Sequence, residues 1–183
     1  MRRSGADLLQ ARVVVRAEPG RAPAAPRPPL RGWRDTAAHI LAVWFGCGHM
    51  PVAPGLTGTL GAIPLYLLLR PHGPVAVAAA AVVVTLVGIW AAGRVERRLG
   101  FKDPQIVCVD EVAGVLVTWI VAPPTTRALV AGVIAFRIFD QLKPWPARAA
   151  ERLGGGPGVM LDDVAAGVWG AAVLVAGRAI GWL

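Results

Sequence analysis

Long apolar runs alternate along the chain with short connections rich in glycine, proline and charge. From residue 36 onward the apolar runs occupy 37–45, 56–69, 75–92, 112–122, 128–139 and 164–183. None has the two-residue alternation of a half-buried strand bounded by turn pairs, so the runs predict helices. The 75–92 run carries no charge, and a helix of about 20 such residues crosses the hydrocarbon core of a bilayer. The 164–183 run is similar, with Arg178 near its far end, where the guanidinium can reach the interface. The two middle runs are short. Extended back to residue 106, and forward to residue 142, each becomes a candidate span with its acidic end at the interface. The pattern predicts an all-α, multi-helical bundle, largely membrane-embedded, with about four membrane helices.

Residues 1–35 have a different character. They hold eight arginines against Asp7, Glu18 and Asp35, and include the stretch Ala22-Pro23-Ala24-Ala25-Pro26-Arg27-Pro28-Pro29. Val13-Val14-Val15 is too short for the core of a signal peptide. The segment reads as a disordered Arg/Pro-rich tail, with 36–183 as the helical domain. The tail supplies +5 of the net charge of +8. Its arginines are scattered among proline and alanine, without the stacking aromatics of a nucleic-acid face, so no nucleic acid is expected as a partner. Charged residues make up 16% of the whole chain, against about 25% in a soluble domain. Much of the surface therefore faces something other than water. Cys47 and Cys108 form neither a zinc set nor a CxxC pair.

Charge placement predicts the topology. Arg94, Arg97, Arg98 and Lys102 follow the clearest span, so that end is expected in the cytoplasm, as is the arginine-rich tail. Alternation from these anchors puts 72–74 and 123–126 outside. It puts 46–55, 102–111, 140–145 and 154–163 inside, so four acid- or glycine-bearing segments meet on one face.

The candidate chemistry lies in those segments. Eight acids follow Asp35, and four of them form two adjacent pairs, Asp110-Glu111 and Asp162-Asp163, each running directly into an apolar stretch. A carboxylate at a helix start caps free N–H groups and meets the positive end of the dipole, for about 0.3–1 kcal/mol. One acid suffices for that. Two doubled pairs and Asp140 exceed the need, and acids beside hydrocarbon are costly unless paired or metal-bound. Oxygen-only donor sets suit Mg²⁺ or Mn²⁺, which bind carboxylate and phosphate together. Asp110, Glu111, Asp140, Asp162 and Asp163 are the expected metal ligands. Arg137, Asp140 and Lys143 recur every three residues on one helical face, ahead of the helix-stopping Pro144. Only two of the nineteen cations are lysines, Lys102 and Lys143, and both lie in acid-bearing motifs. A glycine-rich stretch from Gly46 to Leu60 offers backbone N–H groups and the hydroxyls of Thr57 and Thr59 to an anion. The glycines of 154–158 read as a flexible connection. A cysteine phosphatase loop, an Asp-x-Asp nucleophile and a Gly-x-Ser-x-Gly elbow are all missing.

These stretches resemble the phosphatidylglycerophosphatase A family. The similarity is carried by Pro54-Gly55…Gly58-Thr59-Leu60, Lys102-Asp103…Asp110-Glu111…Gly114, Phe136-Arg137…Asp140…Lys143-Pro144-Trp145-Pro146 and Gly158-Val159-Met160…Asp162-Asp163. One departure is Leu56, where the family usually has threonine after Pro-Gly. The resemblance implies a helical, Mg²⁺-dependent lipid phosphatase that converts phosphatidylglycerophosphate in the bilayer to phosphatidylglycerol and phosphate. It also implies a bacterial inner membrane as the location. Asp110, Glu111, Asp140 and Asp163 are then expected to act in catalysis, and Lys143, Arg137, Lys102, Thr57 and Thr59 to bind substrate. The alternative of another class is a small membrane transporter or channel component, whose acids would face one another at mid-depth.

Overall fold

In the computed structural model, which describes residues 29–183, eight α-helices follow one another and no strand occurs among the described residues. They are α1 (Trp33–Ala42), α2 (Pro54–Gly61), α3 (Ile63–Leu69), α4 (Pro74–Leu99), α5 (Val109–Trp119), α6 (Thr126–Leu142), α7 (Ala147–Ala150) and α8 (Gly155–Ala179). Residues 1–28 of the expected tail lie outside the described residues. Residues 33–35, also assigned to that tail by composition, form the first turn of α1. There the Asp35 carboxylate takes a 2.6 Å ion pair from Arg94 of α4 and is held below its ordinary pKa by that contact.

Proline and glycine set the boundaries. Helix α4 starts at Pro74 behind Gly73 and stops at Gly100, which takes the left-handed conformation (φ 77°) that favours glycine. Helix α6 is capped by Thr125, whose side chain accepts from the Ala128 N–H, and ends at Lys143 just before Pro144. Both α4 and α8 are long and apolar enough to cross a membrane. They leave large apolar side chains uncovered: Val82, Val83, Leu86 and Trp90 on α4, and Val168, Trp169 and Val175 on α8. Such a surface suits lipid. The expected extension of the middle span back to residue 106 does not form. Helix α5 begins at Val109 and has 11 residues, about 16 Å, half of the roughly 30 Å hydrocarbon core. It is shielded within the bundle instead.

The core forms where α8 lies across α4, α5 and α6. Trp119, Phe136, Leu116 and Leu174 are fully buried in one cluster, with the Tyr66 ring 4.7 Å from that of Trp119. Val109, Ala113, Val159 and Met160 fill a second, under α1 and α4. Small residues let the helices approach closely. A Cβ on Gly167 would run into the Gly114 carbonyl, and one on Gly156 into the Ile89 carbonyl. The buried Thr118 hydroxyl donates to the Gly167 carbonyl at 3.1 Å across the α5–α8 contact.

Candidate active site

The α5–α8 crossing sets the site. Asp110 and Glu111 occupy the first turn of α5, and Asp163 faces them from α8; one carboxylate oxygen from each lies within 4.8 Å of the others. Asp140, in the last turn of α6, is joined to the group through Arg137, which reaches both it and Glu111, and Asp162 through its contact with the Asp163 backbone. Asp110, Asp140, Asp162 and Asp163 are all buried. The expected position of Asp162-Asp163 ahead of a helix is corrected here. Helix α8 starts at Gly155, so the pair sits two turns inside it. Mid-helix acids cap nothing, and the N-cap of α5 makes no side-chain hydrogen bond either. Capping therefore accounts for neither pair.

Two cations face five carboxylates. Arg137 Nη1 lies 2.9 Å from Asp140 Oδ2 and 3.9 Å from Glu111 Oε1. Lys143 adopts a left-handed conformation (φ 44°), which turns its side chain toward α8. Its Nζ donates to Asp162 Oδ2 at 2.8 Å and lies 3.5 Å from Glu151. Burial works against the Lys143 charge, but the Asp162 hydrogen bond and neighbouring carboxylates win and raise its pKa. The other Asp162 oxygen accepts from the Asp163 backbone N–H at 3.0 Å. With all five acids ionised the group carries a surplus of three negative charges. Burial, with repulsion from Asp103 and Asp162, pushes Asp110 up to about 6. Burial and the neighbouring Asp110 push Glu111 well above its ordinary value. Asp110 Oδ1 and Glu111 Oε2 are buried without a donor, an arrangement that costs about 1–3 kcal/mol per group unless something else satisfies it. An all-oxygen donor set, surplus negative charge and unpartnered buried oxygens fit a hard divalent cation.

The Pro54-Gly55 segment closes one side. A Cβ on Gly55 would collide with Glu111 Oε1 and come within 3.2 Å of Arg137 Nη1. The α2 hydroxyls are engaged with backbone: Thr57 donates to the carbonyls of Cys47 (2.9 Å) and Pro54 (2.6 Å), and Thr59 to that of Gly55 (3.1 Å). Each has one proton, so only lone pairs remain for the site. Lys102 is exposed and donates to the Glu151 carbonyl at 2.6 Å, with no ion pair to these carboxylates. Sequence reasoning gave no role to Glu151, the second carboxylate on Lys143, or to Gln141, whose amide donates to Asp140 at 3.1 Å. Their spacing on short helical turns carries no motif. The structure thus brings Asp110, Glu111, Asp140, Asp162, Asp163, Arg137 and Lys143 together. It leaves Lys102 outside and commits the Thr57 and Thr59 donors to carbonyls.

The phosphatidylglycerophosphatase A family profile matches residues 40–178. A Bacteroides thetaiotaomicron protein, provisionally named a phosphatidylinositol-3-phosphatase, is 40% identical over 147 residues, covering 76% of this chain and 92% of its own. The phosphatidylglycerophosphatase A of Escherichia coli K12 is 34% identical over 74% of this chain and 80% of its own. That of Haemophilus influenzae is 33% identical over 75% and 86%. No solved structure matches.

Proposed function

This chain belongs to the phosphatidylglycerophosphatase A family, and from that premise we propose that it hydrolyses the terminal phosphate monoester of phosphatidylglycerophosphate at a Mg²⁺ site in the membrane. The observation that carries the proposal is the convergence of Asp110, Glu111 and Asp163 from two helices, with two buried oxygens lacking donors. Those three residues would hold the cation, with Asp140 and Asp162 beside them reaching it directly or through its waters. A Mg²⁺ ion held there would supply Lewis acidity to a phosphoryl oxygen and to the attacking water.

The chain's own groups do the rest. Arg137 and Lys143, already drawn into the cage by Asp140 and Asp162, place two positive charges where the phosphoryl oxygens gain negative charge in the transition state. One cage carboxylate orients the attacking water and takes its proton. The water oxygen bonds to phosphorus as the phosphorus–oxygen bond to glycerol breaks, and the proton taken from the water passes from that carboxyl group to the leaving alkoxide. The acyl chains remain in the lipid beside α4 and α8, so only the headgroup must enter. With arginines at the C-terminal end of α4, the site opens to the cytoplasm of a bacterial inner membrane. Helix-bound acids alone would also suit a transporter or channel component, but the phosphatase names of the relatives favour the enzyme.

Asp110→Asn and Asp163→Asn test the cage. Each preserves shape and removes one ligand charge. Phosphate release from phosphatidylglycerophosphate should fall by at least 10³-fold in both, matching the effect of EDTA on the wild type, with thermal stability retained. Wild-type rates in either variant, or in EDTA, would refute the metal assignment. Phosphatidylinositol 3-phosphate and phosphatidic acid belong in the same assay, because the Bacteroides relative's name points to the former.

A further inference from the structure

Beside the carboxylates is a cavity of about 350 Å³ lined by Leu142, Lys143, Pro144, Trp145, Arg148, Ala149 and Arg152. Its volume falls in the range of small-ligand pockets, about 300–1,000 Å³. Three of the seven lining residues are cations and none is an acid. Lys143 is half-buried and joins the cavity to the cage through its 2.8 Å contact with Asp162. Arg148 lies in α7 and Arg152 in the 3₁₀ turn that follows it, and both line the cavity. Among the described residues neither has a carboxylate partner. Two exposed guanidiniums beside a cluster of carboxylates, paired with none of them, are available to a ligand. The rim is apolar, with Leu142 62% and Trp145 78% exposed. Cations beside exposed apolar side chains match an anionic headgroup joined to lipid.

We propose that Lys143, Arg148 and Arg152 form a binding site for the phosphodiester of the substrate headgroup, separate from the cage that acts on its phosphate monoester. The proposal rests on the phosphatase reading above. The substrate carries two anionic phosphorus centres joined by a three-carbon glycerol. Only the monoester reacts, so the diester must rest on groups that attract it without attacking it. Arginine fits this role, because its planar fork of donors matches paired phosphate oxygens and keeps its charge. Lys143 stands between the two phosphates and can serve both. Contacts to the non-reacting phosphate are equal in ground and transition states, so they lower KM and leave kcat unchanged.

The test uses full-length protein in mixed micelles, comparing wild type, the double variant Arg148→Gln/Arg152→Gln and the conservative Arg148→Lys/Arg152→Lys. The glutamine pair should raise KM for phosphatidylglycerophosphate at least tenfold with kcat within twofold, and the lysine pair should recover most of the loss. The soluble diester glycerophosphoglycerol should inhibit the wild type competitively and the glutamine pair at least tenfold more weakly. An unchanged KM, or a loss confined to kcat, would overturn the diester site while the phosphatase reading stands. If the wild type releases no phosphate from phosphatidylglycerophosphate, the phosphatase reading fails. Calorimetric binding of glycerophosphoglycerol to the wild type and to the glutamine pair then decides the cavity alone: equal binding, or none to either, rejects it. The arginines are exposed and make no ion pair among the described residues, so both variants should melt with the wild type.

Discussion

Replacing Gly55 with alanine should cripple turnover while leaving the fold intact. Residue 55 lies in the first turn of α2, where alanine's backbone preferences are met and a gain of up to about 1 kcal/mol in helix propensity is available. The obstacle is the new methyl group. It would overlap Glu111 Oε1, lie 3.1 Å from the Glu111 carboxyl carbon and 3.2 Å from Arg137 Nη1. The α2 backbone cannot retreat easily, because the Thr57 hydroxyl ties it to the Cys47 carbonyl and Gly58 lies against the Cys108 main chain. The Glu111 carboxylate must therefore swing aside by roughly 1 Å. Rotating the end of a glutamate costs little stability, but a displacement of that size in a reacting group costs about 100-fold in rate, or about 2.7 kcal/mol in the barrier. The assay is phosphate release at saturating lipid, repeated across a Mg²⁺ titration, with melting followed in parallel. Gly158→Ala is the control: its Cβ would meet nothing closer than 3.5 Å, so activity should persist. A Gly55→Ala enzyme with kcat within twofold of wild type would refute the placement of Glu111 in the reacting group.

Other outcomes follow from the same geometry. Without a divalent cation, folded Asp110 keeps its proton up to about pH 6, whereas the unfolded residue loses it above 3.8. The folded state binds more protons in that window, so stability in EDTA should fall as pH rises through it, by up to about 3 kcal/mol for this group. Mg²⁺ should flatten the profile, and an EDTA melting curve that rises from pH 4 to 7 would sink the argument. Leu86 is 63% exposed in the middle of α4. Leu86→Asp should cost about 2.5–3.5 kcal/mol of membrane insertion and reduce recovery in the membrane fraction; unchanged recovery would mean that this face does not meet lipid.

Much of the bundle was legible because apolar length and punctuation act locally. Gly73-Pro74 opens α4 and Pro144 ends α6, where the sequence places those breaks, while α4 runs on past the end of its apolar stretch at 92 to Leu99. The grouping of distant acids was legible from charge economy, since unpaired carboxylates beside hydrocarbon need a reason. What stayed hidden depends on tertiary approach. Residues 154–158 read as a connection, yet Gly155 starts α8, because Gly156 must lie against the Ile89 carbonyl where no side chain fits. That one contact moves Asp162 and Asp163 from a helix end to a helix interior. Lys102 looked like a phosphate ligand from its rarity, but its partner, the Glu151 carbonyl, is 49 residues away and carries no sequence mark. Leu56 raised the expectation that Thr57 and Thr59 replace a missing hydroxyl. Local geometry instead gives their protons to carbonyls within three to ten residues.

The contact between Gly114 and Gly167 makes the gap between α5 and α8 a matter of main chain alone. No rotamer stands between the two main chains at that point, so α5 and α8 cannot draw nearer, and a bulkier residue at either glycine would hold them apart. The carboxylate ends can still turn, but they turn about anchors whose spacing the crossing sets. A wedge there would carry Asp110 and Glu111 away from Asp163 without touching any of the three.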